Sequence, residues 1–172
     1  MNLKRYLVPL LFLAGVYMDS IFFTRLNLFG IRPDMLMALI VSYGMLMGRL
    51  PAAVLGCGLG LFMDAMFGKM LGLTAICYLL AAYTSGFFYQ KYYADNFIMP
   101  AAIAGVAQLV SEHLMGLGML LRGGSFPYLQ TLTTYIVPCA VATGLLCIPL
   151  HLLVKSALGQ QARLHGAETH RG

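Results

Sequence analysis

A single acid, Asp64, stands within the apolar stretch PAAVLGCGLGLFMDAMFGKMLG at 51–72, and no other feature constrains the fold of this chain as tightly. Stepping back from it in fours meets Gly60, Gly56 and Ala52, and one step forward meets Gly68. On a helix these positions form a ridge of minimal side chains along the face that carries the carboxylate. Such a ridge lets another helix backbone come close, which is how helices associate where lipid supplies no hydrophobic force between them. The carboxylate must then face protein, because exposing it to acyl chains costs about 2.5–3.5 kcal/mol. The glycines are expected to serve packing, and Asp64 to serve structure or coupling rather than catalysis.

The surrounding chain supplies the lipid setting. Its 172 residues are 60% hydrophobic and only 10% charged, with a mean hydropathy of +0.80, whereas soluble domains carry about 25% charged residues. This composition describes an integral membrane protein. The apolar runs are long and continuous, without the alternating pattern of roughly ten residues that marks a barrel strand, so the spans are helical. The net charge of +5 comes from eleven Lys and Arg scattered at span ends, with no basic run, which argues against nucleic acid. Cys57, Cys77, Cys139 and Cys147 all lie in apolar runs without CxxC or His-paired spacing, so neither zinc nor a disulfide framework is expected.

Taken in order, the apolar runs predict an all-α bundle of about six transmembrane helices, at about 6–23, 33–48, 51–67, 71–89, 97–121 and 132–154. The first follows MNLKR and carries Asp19, and without a small-x-small cleavage site it reads as a retained span rather than a signal peptide. The connector 24–32 is unusually apolar, with Leu26, Leu28 and Phe29, and is expected to lie on the membrane or under a partner. Pro33 and Asp34 open the second span, a proline in the first turn and an acid at the positive end of the helix dipole. Tyr89, Tyr92 and Tyr93 stand in for the absent Trp as an interfacial belt. Pro138 and Pro149 are expected to kink the last span. One transmembrane domain therefore covers 1–155, and 156–172 reads as a disordered cytoplasmic tail.

Basic residues set the orientation. With the N-terminus inside, Lys4, Arg5, Arg49, Lys91, Lys155, Arg163 and Arg171 are cytoplasmic, against Arg25, Arg32, Lys69 and Arg122 outside. That bias favours both termini in the cytoplasm. Asp19, Asp64 and Glu112 each lie 14 residues beyond the cytoplasmic start of their span, at Arg5, Leu50 and Ile98, or roughly 21 Å along a helix. Asp34 opens the second span at the same face, so Asp19, Asp34, Asp64 and Glu112 are expected to share one layer. Beside Arg25, Arg32, Lys69, Arg122 and His113, that layer is expected to form an ion-paired network closing the outer end of the bundle.

Little here points to chemistry. Asp19 and Asp64 as a paired-carboxylate peptidase form a remote alternative, and there is no GxSxG, HExxH or P-loop. Glu112 and His113 are adjacent, and neighbours on a helix point about 100° apart, so they are expected to pair with different partners rather than relay a proton. No catalytic, cofactor or metal residues are expected.

The combination resembles the rod shape-determining MreD family. The resemblance rests on RPDMLMALIVSYG at 32–44 and GCGLGLFMDAMFGKMLGLTA at 56–75, with Pro33 and Asp34, then Gly60, Leu61 and Asp64, and Leu71 and Gly72 after them. It implies a non-enzymatic component of the bacterial elongation machinery in the cytoplasmic membrane. Such a component would bind the scaffold MreC and work with MreB, RodA and its paired transpeptidase in lateral peptidoglycan synthesis. It also implies a fold similar to the substrate-binding subunits of energy-coupling factor transporters, and a vitamin-binding subunit of that kind is the main alternative. Leu26, Leu28 and Phe29 form the candidate partner surface, and the oligomeric state stays open.

The topology yields a first prediction. Alkaline phosphatase fused after Gly172 should be inactive, and strong periplasmic activity there would exclude the six-span arrangement with both ends inside.

Overall fold

The computed structural model describes residues 7–22, 32–67, 72–88, 98–121, 123 and 131–169, with side chains described for 9–20, 32–67, 72–88, 98–121, 123 and 131–156. Every regular element among them is helical. The α-helices are α1 (Leu7–Tyr17), α2 (Met35–Met47), α3 (Arg49–Phe67), α4 (Leu73–Ser85), α5 (Ile98–Leu121) and α6 (Val137–Thr169). A π-helical turn, Met18–Phe22, extends α1, a 3-10 turn, Gly86–Phe88, ends α4, and a second π-helical turn, Leu132–Ile136, leads into α6. Wide turns of this kind re-aim side chains. The first sets Asp19 towards α2. In the second, Val137 N–H reaches back to the Leu132 carbonyl, immediately before Pro138, which has no N–H to continue the ladder.

Six α-helices among the described residues stand where the six spans are expected, and their lengths differ. Among the described residues, three helical stretches are long and apolar enough to cross a membrane, Arg49–Phe67, Ile98–Leu121 and Leu132–Ser156, while Pro9–Ser20, Met35–Met47 and Leu73–Phe88 are shorter. The 13 residues of α2 reach only about 20 Å, against a hydrocarbon core of about 30 Å. The apolar run is longer than the helix because Asp34 is the N-cap, in extended conformation, so that Pro33 precedes the helix instead of occupying its first turn. At the other end Gly48 stops α2, and α3 begins directly at Arg49. Helical backbone continues in α6 to Thr169, through the stretch from 156 onward that reads as unstructured in sequence. Ala157, Leu158, Gln160, Gln161, Ala162 and Leu164 there are good helix formers.

The short α2 is the central pillar. Leu36, Met37, Ala38, Leu39, Ile40 and Val41 are six consecutive residues with no exposed surface, which requires neighbours on every side. These come from α1, α3, α4, α5 and α6. Phe12 of α1 meets Tyr43 of α2 edge-on, with centroids 5.9 Å apart. The longer helices stand outside and show large apolar side chains outward, among them Val54, Phe62 and Phe67 on α3 and Val106, Val110 and Leu117 on α5.

The ridge of α3 is internal. Ala52, Gly56, Gly60 and Asp64 are its buried residues, and they face α4. A Cβ added at Gly56 would stand 2.8 Å from the Tyr78 carbonyl oxygen, and one at Gly60 would run into Ala75 Cα. Leu61 lies half exposed on another face, and Gly68 and Leu71 fall outside the described residues. Overfilling such a contact typically costs about 1–3 kcal/mol. Gly60→Leu is therefore expected to lower the melting midpoint and the membrane level of the protein. Gly58→Ala, which meets nothing within 4 Å, should leave both unchanged or slightly raised. Equal loss for the two would place the α3–α4 contact elsewhere.

Candidate functional site

Three acids, Asp19, Asp34 and Asp64, lie where the short helices begin. A helix start leaves four N–H groups without intrahelical partners, and in α2 all four are satisfied. Asp19 takes Met35 N–H on Oδ1 at 2.8 Å and Leu36 N–H on Oδ2 at 2.7 Å. Asp34 Oδ1 takes Met37 N–H at 2.7 Å, and the N–H of Asp34 itself goes to Thr143 Oγ1. The carboxyl groups of Asp19 and Asp34 also lie in hydrogen-bonding contact with each other.

Neighbouring helices lock that start in place. Tyr78 of α4 donates its phenol to Asp34, 3.0 and 2.9 Å from the two carboxylate oxygens. From α6, Thr143 Oγ1 accepts Asp34 N–H at 3.0 Å and Cys139 Sγ accepts Arg32 N–H at 3.3 Å. Tyr78, Thr143 and Cys139 are contributors that the acid pattern alone does not point to. Their only sequence signal is that each is a polar or soft side chain inside an apolar run, where such groups need an internal partner.

Asp64 does for α4 what Asp19 does for α2. Gly72 occupies the N-cap position with φ 94°, a left-handed conformation that favours glycine, and so it brings no capping side chain. Asp64, 2% exposed, supplies the missing acceptor: its Oδ2 takes Gly72 N–H at 2.8 Å and Ala75 N–H at 3.2 Å. The spacing of Asp64 and Gly72 thus reads as one cap shared between two helices.

Glu112 and His113 diverge, as their adjacency implies. Glu112 accepts Gln108 Nε2 at 3.0 Å and lies within reach of the Asp34 charge. His113 Nδ1 contacts the Leu109 carbonyl at 2.7 Å, and its ring lines an outward apolar groove with Val106, Val110 and Leu117.

Of the expected ion-paired layer, the four acids fall within the described residues and most of the bases outside them. Asp34, Asp64 and Glu112 take N–H and O–H donors, and among the described residues no Lys or Arg side chain bonds to these three. Arg32 is exposed, while Arg25, Lys69 and Arg122 lie outside the described residues, as do Leu26, Leu28 and Phe29. Helix starts present N–H groups in fixed directions at the positive end of a dipole, which favours a carboxylate there. Asp19 and Asp64 do not form a pair, since each closes a different helix.

These geometries set the expected order of two substitutions. Asp64→Asn keeps an oxygen for Gly72 N–H and should cost under about 1 kcal/mol, whereas Asp64→Leu strands two N–H groups at about 1–3 kcal/mol each. Melting midpoints should fall in that order, and equal loss would show that the charge rather than the cap matters.

In comparison with known proteins, the family model described as rod shape-determining protein MreD matches residues 2–158. No curated protein and no solved structure matches the chain.

Proposed function

Because the chain belongs to the rod shape-determining protein MreD family, we propose that it serves rod shape as a non-enzymatic membrane component of the cell-elongation machinery. In this reading it sits in the cytoplasmic membrane with both termini inside and binds the scaffold MreC through the apolar connector at Leu26, Leu28 and Phe29. MreC in turn couples it to MreB, RodA and the paired transpeptidase, so that lateral peptidoglycan synthesis follows the cell axis. The observation that carries the reading is the family match over 2–158, which takes in nearly the whole chain.

The interior supports a scaffold role. Asp19, Asp34, Asp64, Tyr78 and Thr143 are engaged in joining helix ends. The family match also favours this reading over the vitamin-binding subunit, whose outer pocket would draw on the same acids.

The experiment is a replacement in cells depleted of the native copy. Changing Leu26, Leu28 and Phe29 together to Ser should leave the membrane level normal, weaken co-purification of MreC several-fold and turn rods into rounded cells. Intact MreC association and rod shape in that variant would remove the connector from the partner surface.

A further inference from the structure

The start of α5 offers donors at a membrane surface. This 24-residue helix, Ile98–Leu121, is long and apolar enough to cross a bilayer, so its first turn stands at one face of it. A helix start leaves its first N–H groups without intrahelical acceptors. Pro100 has no N–H to place, and among the described residues no group accepts that of Ile98 or Met99. Ile98 is 77% exposed, so this turn is open to the outside.

A second, independent observation lies on α6, which runs antiparallel to α5 along a seam of small side chains. A Cβ added at Gly105 would stand 3.3 Å from the Ala140 carbonyl oxygen, and one at Gly144 would stand 2.9 Å from that of Ala101. One step further, Cys147 Sγ lies 3.5 Å from the Pro100 carbonyl oxygen. Ala140, Gly144 and Cys147 share one face of α6, and the next residue on that face is His151. By that level α5 has run out, so the imidazole stands beside its opening turn. His151 is 2% exposed, and its Nδ1 is buried without a hydrogen-bond partner. Buried polar groups are ordinarily paired, and leaving one alone is costly. Lys155, half-buried, follows one turn closer to the surface.

We propose that the opening turn of α5, together with His151 and Lys155, binds a phosphate group at the membrane surface. Ile98 and Met99 N–H and the positive end of the α5 dipole hold its oxygens, as helix starts do for phosphate. Lys155 supplies a full charge, and His151 donates from Nδ1. Among the described residues no hydrogen bond fixes the His151 tautomer, so Nδ1 is able to carry the proton. A phosphate suits the position because its oxygens take donors from several sides at once. The group can belong to a lipid head or to free phosphate, and the two sources offer the same chemistry.

The test is thermal unfolding of the purified full chain in dodecyl maltoside micelles, followed with a thiol-reactive dye that reports the buried Cys77, Cys139 and Cys147. Phosphatidylglycerol should raise the midpoint by about 2–4 °C over an equal amount of diacylglycerol, which has the same chains and no phosphate. Inorganic phosphate, compared with chloride at equal ionic strength, separates the sources: a rise with the lipid alone assigns the site to a lipid head, and a rise with the free ion assigns it to phosphate itself. His151→Leu and Lys155→Gln should each abolish the rise, and either one suffices if the other does not accumulate. Arg49→Gln removes an exposed charge at the same end of the bundle and should leave the rise intact. No rise from either source overturns the proposal, as does a rise that persists in both site variants or is lost equally in Arg49→Gln. A rise seen only in Asp95→Ala would show that this carboxylate, ahead of α5 in the chain, takes the same donors, which overturns it as well.

Discussion

A helix that begins where water cannot reach must find acceptors for its first N–H groups, and this requirement organises the molecule. In lipid the unsatisfied group costs several kcal/mol, so the start of a short internal helix has to be closed by protein. Here the closing groups are carboxylates carried on other segments. Asp19 ties the end of α1 to the start of α2, and Asp64 ties α3 to α4. Tyr78 then carries α4 back to Asp34 at the start of α2. The caps therefore act as cross-links between helices as well as local terminators.

Close packing and capping prove to be one device. Gly60 lies against Ala75 Cα, and Ala75 is also the residue whose N–H reaches Asp64, one turn further along α3. Any side chain at Gly60 pushes α4 outward and lengthens that bond, so the glycine ridge and the acid at its top depend on each other. Burying a carboxylate is expensive, but helix N–H groups offset the cost through short bonds and dipole alignment. That balance explains why acids persist in an otherwise apolar bundle.

For a member of a shape-determining family, a stiff interior has a use. With the pillar α2 fixed at its start by three other helices, the outward faces of α3 and α5 hold their relative positions, and a partner or a bilayer meets a defined surface. The polar groups left over from this scheme, Gln108 Oε1 and the half-committed Glu112, stand on α5 beside the caps without forming part of them.

Composition and periodicity alone determined that the chain is helical and membrane-bound, because apolar length and the scarcity of charge are properties of the string. The small-residue ridge ending at Asp64 was legible for the same reason: a spacing of four fixes a helix face whatever surrounds it. The motif residues around Pro33, Asp34, Asp64 and Gly72 were likewise enough to indicate the family. Helix length was not legible at α2 and α4, since an apolar run does not reveal where a neighbour's carboxylate will stop or start the ladder. Nor could depth along each span tell ion pairs from caps. Asp19 lies 16 residues from Met35 and Tyr78 lies 44 from Asp34, and only the packed arrangement of the helices could bring those donors and acceptors together.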